Sequence, residues 1–232
     1  MLDVLYEDNH LLVVNKLAML PTMGVTEDRP SLLTVAKEYI RRKYHKPGNV
    51  YLGVVSRLDA PVTGVVLLAR TSKAASRLTE QFRQRGVEKI YWAIVEEQPN
   101  PSAARLSSFL RKDERHRKVH VTGSQTPDAQ LAEMEYRELG HNQGEPRLRP
   151  KAVGALLEVW LLTGRKHQIR VQLAHAGWPI VGDLKYGGQQ QFPAGIALHA
   201  RRLVVSHPVS KITLEIEAPV PASWRSWLKP ES

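Results

Sequence analysis

The apolar positions along the chain change period several times. Residues 4–6 and 11–14 are two short apolar stretches with "EDN" between them, turn chemistry that predicts a hairpin. In "RPSLLTVAKEYIRRKYHK", Leu32, Val35, Ala36, Tyr39 and Ile40 recur at helical spacing. Pro30 suits a first turn, and the basic residues 41–46 complement a helix C-terminus. "VYLGVV" and "GVVLLAR" read as buried strands. "SKAASRLTEQFRQRG" predicts a second helix, with Ser72 as N-cap, a stripe of Ala75, Leu78 and Phe82, and Gly86 as its stop. "EKIYWAIVEE" alternates and then runs apolar, as a strand does.

From 98 to 150 the texture changes. "QPNPSAARLSSFLRKDERHRKVHVTGSQTPDAQ" is polar, rich in turn residues and basic over 111–118. It predicts short strands joined by long surface loops, with "LAEMEYREL" a strand and "GHNQGEPRLRPK" a loop. Further on, "VGALLEVWLLTGR" reads as a strand and "KHQIRVQLAHAG" as a helix ending at Gly177. "WPIVGDLKYGG" follows as a structured loop, "IALHARRLVVSH" as a helix-to-strand segment and "SKITLEIEAPVP" as a closing strand. Clustered strands with few helices between them predict an α+β fold, a mixed, mainly antiparallel sheet flanked by helices and loops. Without a repeat or a linker, residues 1–232 are expected to form a single domain.

Composition narrows the function. The chain has no cysteine, which removes thiolate chemistry and Cys-ligated zinc and fits a reducing compartment. No basic head precedes a long apolar run, and no stretch approaches the roughly 20 apolar residues of a membrane span, so a cytoplasmic location without membrane association is expected. The net charge of +10 points to a polyanionic partner, nucleic acid ahead of an anionic membrane surface.

Two stretches hold candidate chemistry. "VSRLDAPVTG", residues 55–64, sets Arg57 and Asp59 between apolar runs. Taken alone, Asp59 is either a structural charge capping a turn ahead of Pro61 and Gly64, or a carboxylate held ionised by a cation and used as nucleophile or base. "LLTGRKHQIRVQLAHAG", residues 161–177, gathers Arg165, Lys166, His167 and Arg170 where a strand gives way to a helix, a ready anion site. Arg170 lies on a helix face with apolar neighbours, which is costly unless a carboxylate meets it. His167 and His175 are not an i, i+4 pair and have no acidic companion, so no metal is expected.

Together, "SRLDAPVTGVVLLART", "EKIYWAIVE", "LLTGRKHQIRVQLAHAGWPIVGDLKYGG" and "LHARRLVVSHP" resemble, in order and spacing, the RluA-type RNA pseudouridine synthases over nearly the whole chain. The resemblance implies the pseudouridine synthase fold and an enzyme that isomerises chosen uridines of ribosomal or transfer RNA without cofactor or metal. It implies that Asp59 is the catalytic aspartate, that Tyr91 packs on the target base, and that Arg170 pairs with the aspartate. Arg57 would fill the gap left by a flipped uridine, and Arg165 and His167 would touch the RNA. Trp92 points to the face opposite Tyr91. A monomer with no RNA-binding module ahead of the core is expected, so target choice would rest on the core and on loops such as 98–120. Rival readings are an RNA-binding protein that has lost catalysis and a hydrolase using Asp59 with His167. The joint presence of Asp59, Tyr91 and Arg170 argues against the first, and the lack of a Ser or Cys nucleophile motif or a metal set against the second. The chain departs from the family at "KLAMLP", where K-P-A-G is usual, at Ser56 before Arg57, at "APVTG" after Asp59 and at Lys166.

Overall fold

In the computed structural model, residues 2–24, 26, 29–140, 145–149 and 154–229 are described. The loop expected over 140–151 falls partly outside them. The chain divides into two compact units. The first comprises Met1–Glu88 with Ala200–Pro219, the second Lys89–His199 with Val220–Ser232.

The first unit opens with the expected hairpin, β1 (Asp3–Glu7) and β2 (Leu11–Lys16), paired antiparallel. It continues with α1 (Leu32–Lys43), β3 (Gly53–Val54), β4 (Thr63–Ala69) and α2 (Ser72–Arg83). β10 (Leu198–Ser206) and β11 (Thr213–Glu217) complete it, giving the strand order β1-β2-β4-β10 with β11 on β10 and β3 on β4. The two faces of β2 and β4 explain their unbroken apolar runs. Leu11, Val13, Val65 and Leu67 face a cluster that includes Ala74 and Leu78 of α2. Leu12, Val14, Val66 and Leu68 face one that includes Leu32, Ala36 and Ile40 of α1. A strand covered on both faces has no polar side to show.

Local capping moves several boundaries from their expected places. Ser31, not Pro30, starts α1: its hydroxyl accepts from the Thr34 N–H while Thr34 Oγ1 accepts from the Ser31 N–H, a reciprocal box. Thr71, not Ser72, caps α2. That helix ends at Arg83, before Gly86, and Arg85 takes the left-handed turn with φ 59°.

The second unit carries β5 (Glu88–Val95), β6 (Ala103–Asp113), β7 (Lys118–Thr122), β8 (Gln130–Glu138), β9 (Ala155–Leu161) and α3 (Gln168–His175). Its strands follow the order β5-β9-β8-β6-β7, every neighbour antiparallel. The region expected to be short strands on long loops is thus a long hairpin arm. Polar residues on the alternate, exposed positions of β6 mask it, and the basic run 111–118 is the tip where β6 turns into β7. The helix-to-strand reading of "IALHARRLVVSH" also gives way: residues 198–206 are strand β10 throughout. Eleven strands and three α-helices among the described residues bear out the α+β class.

Candidate active site

In the first unit, Asp59 lies half-buried in the loop from β3 to β4, and Arg57 is exposed beside it. The Val62 N–H donates to the Asp59 carbonyl at 3.0 Å and closes a turn around Ala60 and Pro61. Gly64 ends this motif for a steric reason. Its φ is +113°, and a Cβ there would stand 2.2 Å from the Ala200 carbonyl oxygen of β10. The loop is fastened to the segment after β2 at two points. Thr22 Oγ1 donates to the Leu58 carbonyl at 2.8 Å and accepts from the Leu58 N–H at 3.1 Å. Lys16 Nζ donates to the carbonyls of Leu17 and Leu20, both at 2.8 Å, and of Ala60 at 3.0 Å.

Lys16 is 0% exposed. Burial pushes its ammonium down to about 7, and the charge of Asp59 opposes the fall. Asp59 therefore lies near a buried lysine that the sequence does not announce. The only signal for it is a lysine ending a strand that opens with four apolar residues, and strand-end lysines are usually solvated.

In the second unit, Tyr91 is half-buried on β5, opposite Val159 of β9. Its neighbour Trp92 is buried and donates Nε1 to Glu158 at 3.3 Å. Arg165 and His167 lie on the turn entering α3. Thr163 and Gln168 shape that turn: Thr163 Oγ1 accepts from the Glu133 N–H at 2.9 Å and donates to Gln168 Oε1 at 2.7 Å. The same Gln168 oxygen accepts from the Arg165 N–H at 3.0 Å, and Gln168 Nε2 donates to the Glu133 carbonyl at 3.0 Å. The turn is thus fixed by side chains, which frees Arg165 to stay exposed; its Nε donates to the Leu131 carbonyl at 3.0 Å. His167 takes the left-handed conformation, φ 54°, at the start of α3, and its Nδ1 is 2.7 Å from the Tyr186 hydroxyl.

Arg170 meets the carboxylate its burial requires. Nε donates to Asp183 Oδ2 at 2.7 Å and Nη2 to Oδ1 at 2.8 Å, a two-pronged pair with side chains 6% and 1% exposed. Asp183 is a partner that the motif reading does not single out, although "PIVGDLKYGG" contains it. The Arg170 guanidinium also sits 5.1 Å from the centre of the Tyr186 ring. Tyr186 in turn accepts from the Val119 N–H of β7 at 3.0 Å, and Lys185 donates to the Arg117 carbonyl. The basic hairpin tip is therefore anchored to the residues around Arg170 and His167. Val171, Leu173, Ile180 and Val181 are all buried core.

Among the described residues no group of three or more His, Cys, Asp or Glu side chains gathers closely enough to hold a metal ion, and no helix is long and apolar enough to cross a membrane. In the first unit Asp59 offers a nucleophile or base and Arg57 an exposed cation; in the second, Arg165 offers an exposed cation on the turn entering α3.

Comparison with known proteins gives this arrangement its context. Residues 10–175 match the family described as RNA pseudouridylate synthase. An uncharacterized RNA pseudouridine synthase of Bacillus subtilis, YhcT, is 31% identical, the alignment covering 97% of this chain and 70% of that one. Ribosomal large subunit pseudouridine synthase D of Pseudomonas aeruginosa is 32% identical, over 98% of this chain and 70% of its own. Among solved structures, human RNA pseudouridylate synthase domain containing 4 superposes with a TM-score of 0.76 at 26% identity, covering 99% of this chain and 95% of its own. The match in sequence and in structure runs through both stretches that carry the candidate chemistry, and the chain belongs to the RNA pseudouridine synthase family, of the RluA type.

Proposed function

We propose that this chain isomerises specific uridines of ribosomal RNA to pseudouridine, with Asp59 as the nucleophile. The carrying observation is the setting of Asp59: a half-buried carboxylate on a loop stapled at Leu58 and Ala60, beside the buried ammonium of Lys16. Attack requires a carboxylate held in one place, and the clasps at Leu58 and Ala60 fix the loop that carries it. The bond between C1′ and N1 breaks, the uracil turns, and a bond from C1′ to C5 forms. C5 gives up its proton to solvent and N1 ends protonated, so the reaction is an isomerisation that balances without cofactor. The target base must leave its stack, at a cost of a few kcal/mol recovered from interactions in the pocket. Arg57, exposed beside Asp59, is the residue to occupy the vacated place, and Tyr91, Arg165, His167 and Arg170 complete the assignment. Ribosomal RNA is favoured over transfer RNA by the named substrate of the Pseudomonas aeruginosa relative. In this reading residues 1–232 act as one catalytic domain, as a monomer in the cytoplasm.

The test is Asp59→Asn and Asp59→Ala, assayed for tritium release from RNA transcribed with 5-tritiated uridine and, in parallel, for RNA binding. Turnover should vanish in both while binding stays near that of the unaltered chain, because affinity comes mainly from the phosphate backbone. Substantial turnover by the alanine variant would remove Asp59 from the role. Mapping pseudouridine in ribosomal and transfer RNA from cells with and without the gene identifies the substrate.

A further inference from the structure

Residues 17–23, which follow β2, combine two properties: large apolar side chains in water and a backbone held at Leu17, Leu20, Pro21 and Thr22. Leu17 is 61% exposed, Met19 67% and Met23 43%. Met19 also holds φ at 63°, a conformation in which glycine is at ease and a long side chain is not. The backbone beneath has little freedom. The Leu17 and Leu20 carbonyls share the Lys16 ammonium with the Ala60 carbonyl. Pro21 and Thr22 accept through their carbonyls from the N–H groups of Leu32 and Leu33 at the head of α1, at 2.8 and 3.1 Å. Thr22 then clasps Leu58.

The position of this ledge says what it meets. All three carbonyls on the Lys16 ammonium lie within 3.0 Å of one nitrogen, and Ala60 directly follows Asp59. The backbone at Leu17 and Leu20, which brackets Met19, is therefore held by the same ammonium as the residue after Asp59, the carboxylate that the proposed function makes the nucleophile. When a uridine leaves its stack to reach that carboxylate, the bases on either side lose a stacking partner and expose apolar faces. Leucine and methionine are among the side chains that proteins insert at such opened base steps. A rigid support matters for this use, since a wedge that is already ordered loses no conformational freedom on docking.

Resting on the synthase reading, we propose that Leu17 and Met19 form an apolar wedge that packs against the RNA bases flanking the target uridine and helps decide which uridines are accepted. Arg57, a cation, is suited to the vacated place itself; the wedge braces the neighbours.

The experiment compares the unaltered chain with Met19→Gly, Leu17→Ser and the double variant. Each is assayed for tritium release on transcribed ribosomal RNA over a range of salt, and for thermal unfolding. Glycine relieves the positive φ, so Met19→Gly should melt no lower than the unaltered chain, and a loss of activity could not then be put down to a damaged fold. The double variant should lose about tenfold in kcat/KM, equivalent to about 1.4 kcal/mol, with the salt slope unchanged because neither side chain neutralises a phosphate. Unaltered turnover in a folded double variant would overturn the wedge alone. A lower activity accompanied by a changed salt slope, or a self-associating parent chain that becomes monomeric in the double variant, would also overturn it. The first would assign the ledge to the phosphate backbone, the second to a copy of this chain. No tritium release by the unaltered chain on any RNA would overturn the synthase reading, and the wedge with it.

Discussion

Replacing Arg170 with alanine leaves the Asp183 carboxylate, 1% exposed, without the Nε and Nη2 donors that hold both of its oxygens at 2.7 and 2.8 Å. A buried ion that loses its partner costs about 3–5 kcal/mol, because water cannot reach the charge left behind. For a chain of this size about 1 kcal/mol moves the melting temperature by about 2–4 °C, so a fall of about 6–20 °C is expected. Arg170→Lys keeps the charge but lacks the planar fork, and should fall between the two. Asp183→Leu removes the carboxylate that accepts from Nε and Nη2 and should also lower the melting temperature. The paired variant Arg170→Met with Asp183→Leu removes both charges and should recover at least half of either single loss, since an apolar pair of like volume often replaces a buried ion pair without penalty. Thermal and urea unfolding of these four variants and of Arg170→Met alone complete the cycle, and tritium release adds a second reading: the double variant should be stable yet inactive. Single losses below about 1 kcal/mol, or a double variant no more stable than the singles, would refute the argument that this pair is where the buried arginine is compensated.

Lys16 predicts a pH dependence. Its pKa is about 7 in the folded chain against an ordinary 10.5. Between these values the unfolded state binds more protons, so stability should rise as pH increases from about 7 towards 10.5. Lys16→Met should abolish that rise, as urea midpoints at several pH values will show; a methionine variant with the full slope would clear Lys16. Tyr186→Phe removes the acceptor of the buried Val119 N–H and the partner of His167 Nδ1 but keeps the ring beneath Arg170. A loss of about 1–3 kcal/mol by urea unfolding is expected, from the orphaned amide, and an unchanged midpoint would deny the anchor. At the hairpin tip, Ser or Gln in place of Arg111, Lys112, Arg115, Arg117 and Lys118 should flatten the dependence of log K on log salt by about 0.7–0.9 for each phosphate no longer neutralised. Unchanged slope and turnover would move the RNA-binding surface to the basic end of α1.

Much of this molecule is legible along the chain because it depends on near neighbours in sequence. The apolar runs of β2 and β4, the 3.6-residue stripe of α1 and the alternation of β5 each report a local period, and the structure keeps all of them. The motifs around Asp59 and Arg170 suffice to place the chain in its family, since spacing within a motif is also local. What the tertiary structure alone decided was the pairing of distant residues. The hairpin arm exists because β6 finds β8 beyond the intervening β7, although its own pattern is half polar. The burial of Arg170 demands a carboxylate, but no local rule could name Asp183, brought to it by the turn after Ile180. Lys16 reads as an ordinary lysine at a strand end. It becomes a buried amine with a depressed pKa because the loop carrying Asp59 folds over it and supplies a carbonyl from 44 residues away.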